Sequence, residues 1–374
     1  MINTLIKTYN PADPSKSLQQ LVSIYQVINA LSDGYWKKKK LAEAQQLIEA
    51  CSGLWIEATV NQPYGIKDQS VTVNLQLVNR SKLDVSLNDI SINKTDTGWS
   101  QKLEPEKNYR LSLPVSLAGL PISQPYWLEE PMAENSYNVN DQELIGDAQN
   151  KPALTAIFKI KIGGQLFAVQ KPVVYDYTQP AKGESFEPFV IIPKTIASCK
   201  PEILLFNGKN EKNLEVIDQS KTGGDAGERR LASDLHSGMG AHDEKNAVSS
   251  VISLTKASGF DIISGPSSGT LHDFQVKSMD GNQNPEWTWA TQIAGGKTDT
   301  ILQCRTISYE HIPRINYFRP VRAKLVSTDL QIKGSRIGYI EGAGDKVPDA
   351  LREMGYTVNM LNENELTAST LSHL

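Results

Sequence analysis

From residue 15 to residue 31 the apolar positions Leu18, Leu21, Val22, Tyr25, Ile28 and Leu31 recur at three and four, the period of a helix with one buried stripe. Asp33-Gly34 ends that run. A second stripe through Leu41, Ala44, Leu47, Ile48 and Cys51 stops at Gly53, so the spacing predicts an antiparallel helical hairpin over residues 15–53. Past Gly53 the period falls to two. Val71, Val73, Leu75 and Leu77 alternate with Thr72, Asn74, Gln76 and Val78, and Leu83, Val85 and Leu87 repeat the pattern, as in a half-buried antiparallel sheet. Leu154, Ala156, Phe158, Ile160 and Ile162 continue it, and Gly163-Gly164 supplies a tight hairpin before residues 165–174 return. Short strands with such turns predict a β-sandwich.

The polar, proline-bearing stretch QPAKGESFEP at residues 179–188 is where a domain boundary is predicted, because few contacts should cross it. Beyond it, residues 203–206, 214–217, 251–254, 260–263, 271–276, 287–293 and 301–309 are short strand candidates separated by Gly, Asn, Asp and Ser. Residues 219–246 between them are polar and glycine-rich, which predicts a long loop. At Arg336 the pattern changes again. Residues 337–340 are apolar without alternation, Gly342 and Gly344 make a turn, and Asp345 can cap a helix carrying Val347, Leu351 and Met354, with Gly355 ending it. Residues 356–361 then read as a second, parallel strand. The predicted architecture is mainly β: a helical connector over 1–53, immunoglobulin-like β-sandwich modules over 54–180 and 181–332, and the start of an α/β domain over 333–374.

Composition narrows the partners. A chain of 374 residues with 38 Lys+Arg against 42 Asp+Glu has a net charge of -4, so nucleic acid is not a favoured partner. The one basic run, Lys37 to Lys40, reads as a solvated helix face. Cys51, Cys199 and Cys304 lack any C-x-x-C spacing and read as small buried apolar residues. No run of apolar residues is long enough for a transmembrane segment, and the first thirty residues lack a secretion-signal pattern.

Four constellations can carry chemistry, each beside a plainer reading. Gly342-Ala343-Gly344 sits where a strand meets a helix N-terminus, so its N–H groups can receive an anion; Val347 stands where a dinucleotide fingerprint needs glycine, and Asp345 would repel a phosphate, so a structural turn is the plainer reading. Gly265-Pro266-Ser267-Ser268-Gly269 matches the G-x-S-x-G of a serine nucleophile elbow, but the following residues give no helical stripe and a loop between strands competes with it. Ala241-His242-Asp243-Glu244 gathers metal-ligand types in a polar loop with no rigid support. Trp127, Trp287 and Trp289, with Trp99 and Tyr126, can stack on sugar rings or serve as packing residues.

The stretches CSGLWIEATV, QPYWLEEP, KPVVYDYTQPAKGE, SYEHIP and KGSRIGYIEGAGDKVPDALREMGYTVNMLNENEL together resemble the carboxyl-terminal half of large bacterial PIG-L/LmbE-family deacetylases. The resemblance implies that residues 333–374 begin a class I glutamine amidotransferase-like domain. It also implies an accessory region of a zinc-dependent de-N-acetylase acting on N-acetylglucosamine-type substrates, secreted or periplasmic. That family binds zinc through A-H-P-D-D-E, which this sequence lacks; AHDEKN at 241–246 has neither the proline nor the paired aspartates. The resemblance therefore assigns this chain no catalytic residue, metal site or cofactor, and places zinc in an amino-terminal deacetylase domain that would be its partner. On this reading the chain is an internal fragment, and its other partner is a glycan or cell-envelope saccharide. The alternative is a stand-alone carbohydrate-binding or adhesion protein.

Overall fold

The computed structural model describes residues 1–208, 210–220, 251–279, 285–294, 297–342 and 344–371. The chain divides into two compact units, Met1–Pro193 with Ile307–Asn316, and Lys194–Thr306 with Tyr317–Leu374.

The first unit opens with helices α1 (Ile2–Thr8), α2 (Leu18–Asn29) and α3 (Tyr35–Ser52). Gly53, at φ +67°, ends α3 in the left-handed conformation that glycine adopts without strain. Strands β1 (Leu54–Val60), β2 (Tyr64–Ile66), β3 (Ser70–Asn79), β4 (Val85–Ile92), β5 (Thr95–Asp96), β6 (Gln101–Lys102), β7 (Asn108–Ser116), β8 (Thr155–Ile162), β9 (Gln165–Pro172), β10 (Val174–Gln179), β11 (Gly183–Pro188) and β12 (Val190–Ile192) follow. One sheet runs β11-β10-β1-β3-β7 and the other β5-β4-β8-β9, with β6 on β4. Strands β1, β3 and β7 in one sheet and β4, β8 and β9 in the other occupy the A, B, E and C, F, G places of an immunoglobulin sandwich. The predicted Gly163-Gly164 hairpin joins β8 to β9, both glycines at positive φ.

The alternation read along β3 is the burial pattern observed: Val71, Val73, Leu75 and Leu77 point into the core, where they meet Val85, Leu87, Ile90, Phe158, Ile160 and Ile162 of the opposite sheet. Leu18, Leu21, Val22 and Ile48 of the helices join the same core. The hairpin is therefore part of this unit and not a separate connector, because its apolar stripe dries against the sandwich. Residues 179–188 also differ from expectation. They are no linker: Gly183 turns the chain at φ +81° and β11 pairs antiparallel with β10, which satisfies the backbone of that polar stretch. The unit ends instead at Pro193.

The second unit contains β13 (Ala197–Lys200), β14 (Ile203–Asn207), β15 (Glu211–Asp218), β16 (Val251–Leu254), β17 (Phe260–Ser268), β18 (Leu271–Ser278), β19 (Glu286–Ala294), β20 (Lys297–Thr300), β23 (Arg322–Thr328) and all of β21 (Leu302–Ile307) and β22 (Ile315–Pro320) except Ile307, Ile315 and Asn316, which fall in the first. Its sheets run β13-β15-β18-β17 and β14-β23-β19-β16, with β20 on β19. Leu214, Val216, Phe274 and Val276 of the first face Leu204, Phe206, Ala290, Ala323 and Leu325 of the second. Cys199 lies buried here, and burial pushes its thiol up to about 11. Strand β24 (Arg336–Tyr339), helix α4 (Val347–Met354) and strand β25 (Thr357–Met360) follow, the two strands pairing parallel as predicted. The α4 residue Glu353 accepts from the β14 N–H of Leu205 at 3.4 Å and from Lys212 Nζ at 2.6 Å. A carboxylate thus shields the open edge of β14.

One buried polar group organises the first sandwich. Asn79, fully buried at the end of β3, donates through Nδ2 to the carbonyls of Leu83 (3.1 Å) and Leu103 (3.0 Å) and accepts from the Ser81 N–H (3.0 Å). Asn79→Ala strands the buried carbonyl of Leu103 and the part-buried one of Leu83, so urea unfolding should show a loss of about 2–4 kcal/mol. A loss below about 0.5 kcal/mol would mean that water replaces the amide.

Candidate functional site: a proline-walled cleft in the first unit

Five segments far apart in sequence converge in the first unit on a cavity of about 440 Å³. Pro121, Pro125, Pro152, Pro172, Pro188 and Pro313 all line it. Proline fixes φ, so these walls are stiff before any ligand arrives. The rim is held by a compact hydrogen-bond set. Asn150 donates to the Gln124 carbonyl (2.5 Å) and accepts from the Tyr126 N–H (2.9 Å), Gln124 Nε2 donates to the Leu128 carbonyl (2.7 Å), and the Ile191 N–H donates to Ser123 Oγ (2.9 Å). These bonds fix the 3-10 turn Tyr126–Leu128 that carries Trp127. The indole is half-buried, stands edge-on to Tyr126 at 4.9 Å, and lines the cleft.

Arg314 brings the one guanidinium of the lining. Its side chain is 12% exposed, lies 3.4 Å from Glu187 Oε1, and donates to Tyr64 Oη at 3.3 Å. Glu187 in turn accepts from Tyr177 Oη at 2.9 Å. Burial, and then that bond to Glu187, push the Tyr177 phenol above its ordinary value. The site thus offers apolar walls, one half-exposed indole, and amide and guanidinium groups. That combination suits a ligand with apolar C–H faces and polar edges.

Of the residues singled out from sequence, only Trp127 lies in this cleft. Trp287 and Trp289 belong to the second unit, side by side on the outer face of β19 and opposite Lys324 and Arg322 of β23. The Arg322 guanidinium stacks 4.1 Å from the Trp287 ring centre and 5.3 Å from that of Trp289. A sugar would meet indoles already stacked on a cation. Trp99 packs against the core of the first unit.

The Gly342–Gly344 turn holds its own anion. Asp345 Oδ2 accepts from the Gly342 N–H at 3.2 Å and from Tyr339 Oη at 2.9 Å, while Oδ1 accepts from the Val347 N–H at 3.3 Å. An incoming phosphate would have to displace that carboxylate. Asp345 also stands one residue before the N-cap of α4, which is Lys346. Ser267 lies within β17, at a bulge, and its Oγ is 3.1 Å from His272 Nδ1 on β18. The segment is strand and not the loop expected; a second strand, and no helix, follows it, so the geometry is a hairpin rather than an elbow. Residues 241–244 lie outside the described residues. Among the described residues no three His, Cys, Asp or Glu side chains converge to hold a metal ion.

Sequence reasoning missed Arg314, Glu187, Tyr64 and Tyr177, which come from four separate segments. Their only signal was the recurrence of proline beside them, as at Pro63, Pro188 and Pro313.

No family model and no curated protein matches the chain. Among solved structures, it is similar to an ICAM-5 ectodomain fragment (9% identity, 72% of this chain and 53% of that one, TM-score 0.20). It is also similar to domains 5–6 of the S-layer protein SbsC (11%, 74% and 97%, TM-score 0.16) and to Escherichia coli alpha-2-macroglobulin (8%, 73% and 22%, TM-score 0.19). The chain spans about half the length of the first of these. At such TM-scores the likenesses carry no argument about fold or function.

The Trp287–Arg322–Trp289 stack is a packing device in its own right. Arg322→Ala should lower stability by about 1 kcal/mol and alter the near-ultraviolet dichroism of the indoles. An unchanged melting curve together with an unchanged spectrum would show that the stack does not persist in solution.

Proposed function

We propose that this chain is a non-catalytic accessory region of a PIG-L/LmbE-type zinc-dependent de-N-acetylase, and that its first unit holds an N-acetylglucosamine-type saccharide in the Trp127 cleft. The family rests on the sequence resemblance. The saccharide rests on one observation: a stiff cleft in which a half-exposed indole stands among amide and guanidinium groups. A pyranose presents an apolar C–H face to an aromatic ring, and its hydroxyl and acetamido groups need donors and acceptors at the edge. The α4 segment belongs to the same proposal as the opening βαβ unit of an amidotransferase-like domain, supported by the parallel β24–β25 pair.

Titration calorimetry of the full chain against N-acetylglucosamine oligomers tests the binding half. Micromolar to millimolar binding is expected, weakened at least tenfold in Trp127→Ala and unchanged in Trp287→Ala. No heat at about millimolar oligomer would remove the saccharide reading. Binding lost in Trp287→Ala and kept in Trp127→Ala would move the site to the second unit.

A further inference from the structure

The far end of the helical hairpin has no role in either core. Helix α2 buries Leu18, Leu21, Val22 and Ile24, and α3 buries Ala44, Ile48 and Ser52; beyond Tyr25, which still packs against Phe167 of the core, no side chain from residue 26 to residue 43 is buried. At about 1.5 Å per residue, Tyr35 stands roughly 13 Å beyond Ala44 along α3. This projecting tip carries Leu31, Tyr35 and Trp36 at 55%, 69% and 65% exposure. Tyr35 and Trp36 pack edge to face at 5.3 Å, with Lys39 over both rings.

Next to them run Lys37, Lys38, Lys39 and Lys40. Lys40 is paired with Glu43 at 2.6 Å, and Asp33 beside the turn receives the Gly34 N–H. No carboxylate among the described residues pairs with Lys37, Lys38 or Lys39. The placement opposes folding. The first turn of α3 holds no acidic residue and its N-cap, Gly34, makes no side-chain cap, so the lysines crowd the positive end of the helix dipole. An outside anion beside these exposed lysines would relieve that crowding.

We infer that this tip docks the protein on an anionic lipid surface. Exposed indole and phenol rings favour the headgroup level of a bilayer, and adjacent lysines are drawn by anionic headgroups. A convex tip that shows Leu31, Tyr35 and Trp36 together suits shallow insertion between lipids, whereas a phosphate backbone or an acidic protein would use the lysines and leave Leu31 in water. The mode is docking and not spanning, since among the described residues no helix is long and apolar enough to cross a membrane.

Sedimentation of the full chain with phosphatidylcholine vesicles, with and without phosphatidylglycerol, tests the inference. Binding should need phosphatidylglycerol and vanish at about 0.5 M salt. Replacing Lys37, Lys38 and Lys39 by Gln should weaken it about a hundredfold, at roughly fivefold per lysine. Trp36→Phe should remove the blue shift of tryptophan emission that accompanies binding. Trp36→Phe should melt with the parent, because Trp36 is not buried, and the triple variant should melt at or slightly above it, because three cations leave the positive end of α3. The inference falls if the parent ignores anionic vesicles, if the triple variant binds as the parent does, or if the chain takes up a single-stranded oligonucleotide and no vesicle.

Discussion

A β-strand can dry one row of side chains only by laying it against another row, and both units of this protein are answers to that constraint. In the first, the inward rows of β3 and β1 meet those of β4 and β8, and the stripes of α2 and α3 complete the enclosure. In the second, β15 and β18 meet β14, β19 and β23. A strand returning late in each unit closes a sheet by parallel pairing, β10 on β1 and β23 on β14. Those closures bring residues distant in sequence to the ends of the sandwiches, where recognition surfaces form.

The cleft depends on that geometry. Its walls are the connections between strands, and connections are where proline is tolerated because no ladder hydrogen bond is lost. Stiff walls reduce the ordering that a bound ligand would otherwise require. The same electrostatic economy recurs elsewhere. Glu187 neutralises Arg314 in the cleft wall, Glu353 caps the edge N–H of β14, and Asp345 occupies the turn that glycine spacing left open to an anion. In each case a carboxylate of the chain already fills the place where an external anion or strand could sit.

The hairpin tip is the counter-example. There, among the described residues, the lysines have no internal carboxylate except through Lys40, and the aromatics have no core to enter. The unsatisfied groups at the tip and the preformed cleft belong to the same unit, so a chain held to a lipid surface would carry the Trp127 cleft with it.

Periodicity by itself determined much of the fold. The switch from three-and-four spacing to alternation placed the hairpin and strands such as β3 and β8, because side-chain direction along a regular backbone is a local property. The Gly163-Gly164 turn and the parallel β24–β25 pair were equally legible, since positive φ and an apolar run without alternation leave marks in residue type, although neither strand holds a buried residue. Only tertiary structure decided that residues 179–188 form a sheet edge and not a linker, because a polar edge strand and a polar linker have the same composition. Likewise a tryptophan in sequence carries no record of its neighbour. Trp127 was set in a cleft by segments as distant in sequence as Pro313–Asn316, and Trp287 was covered by an arginine on the next strand, since what faces an aromatic ring is fixed by strand pairing and chain return rather than by local pattern.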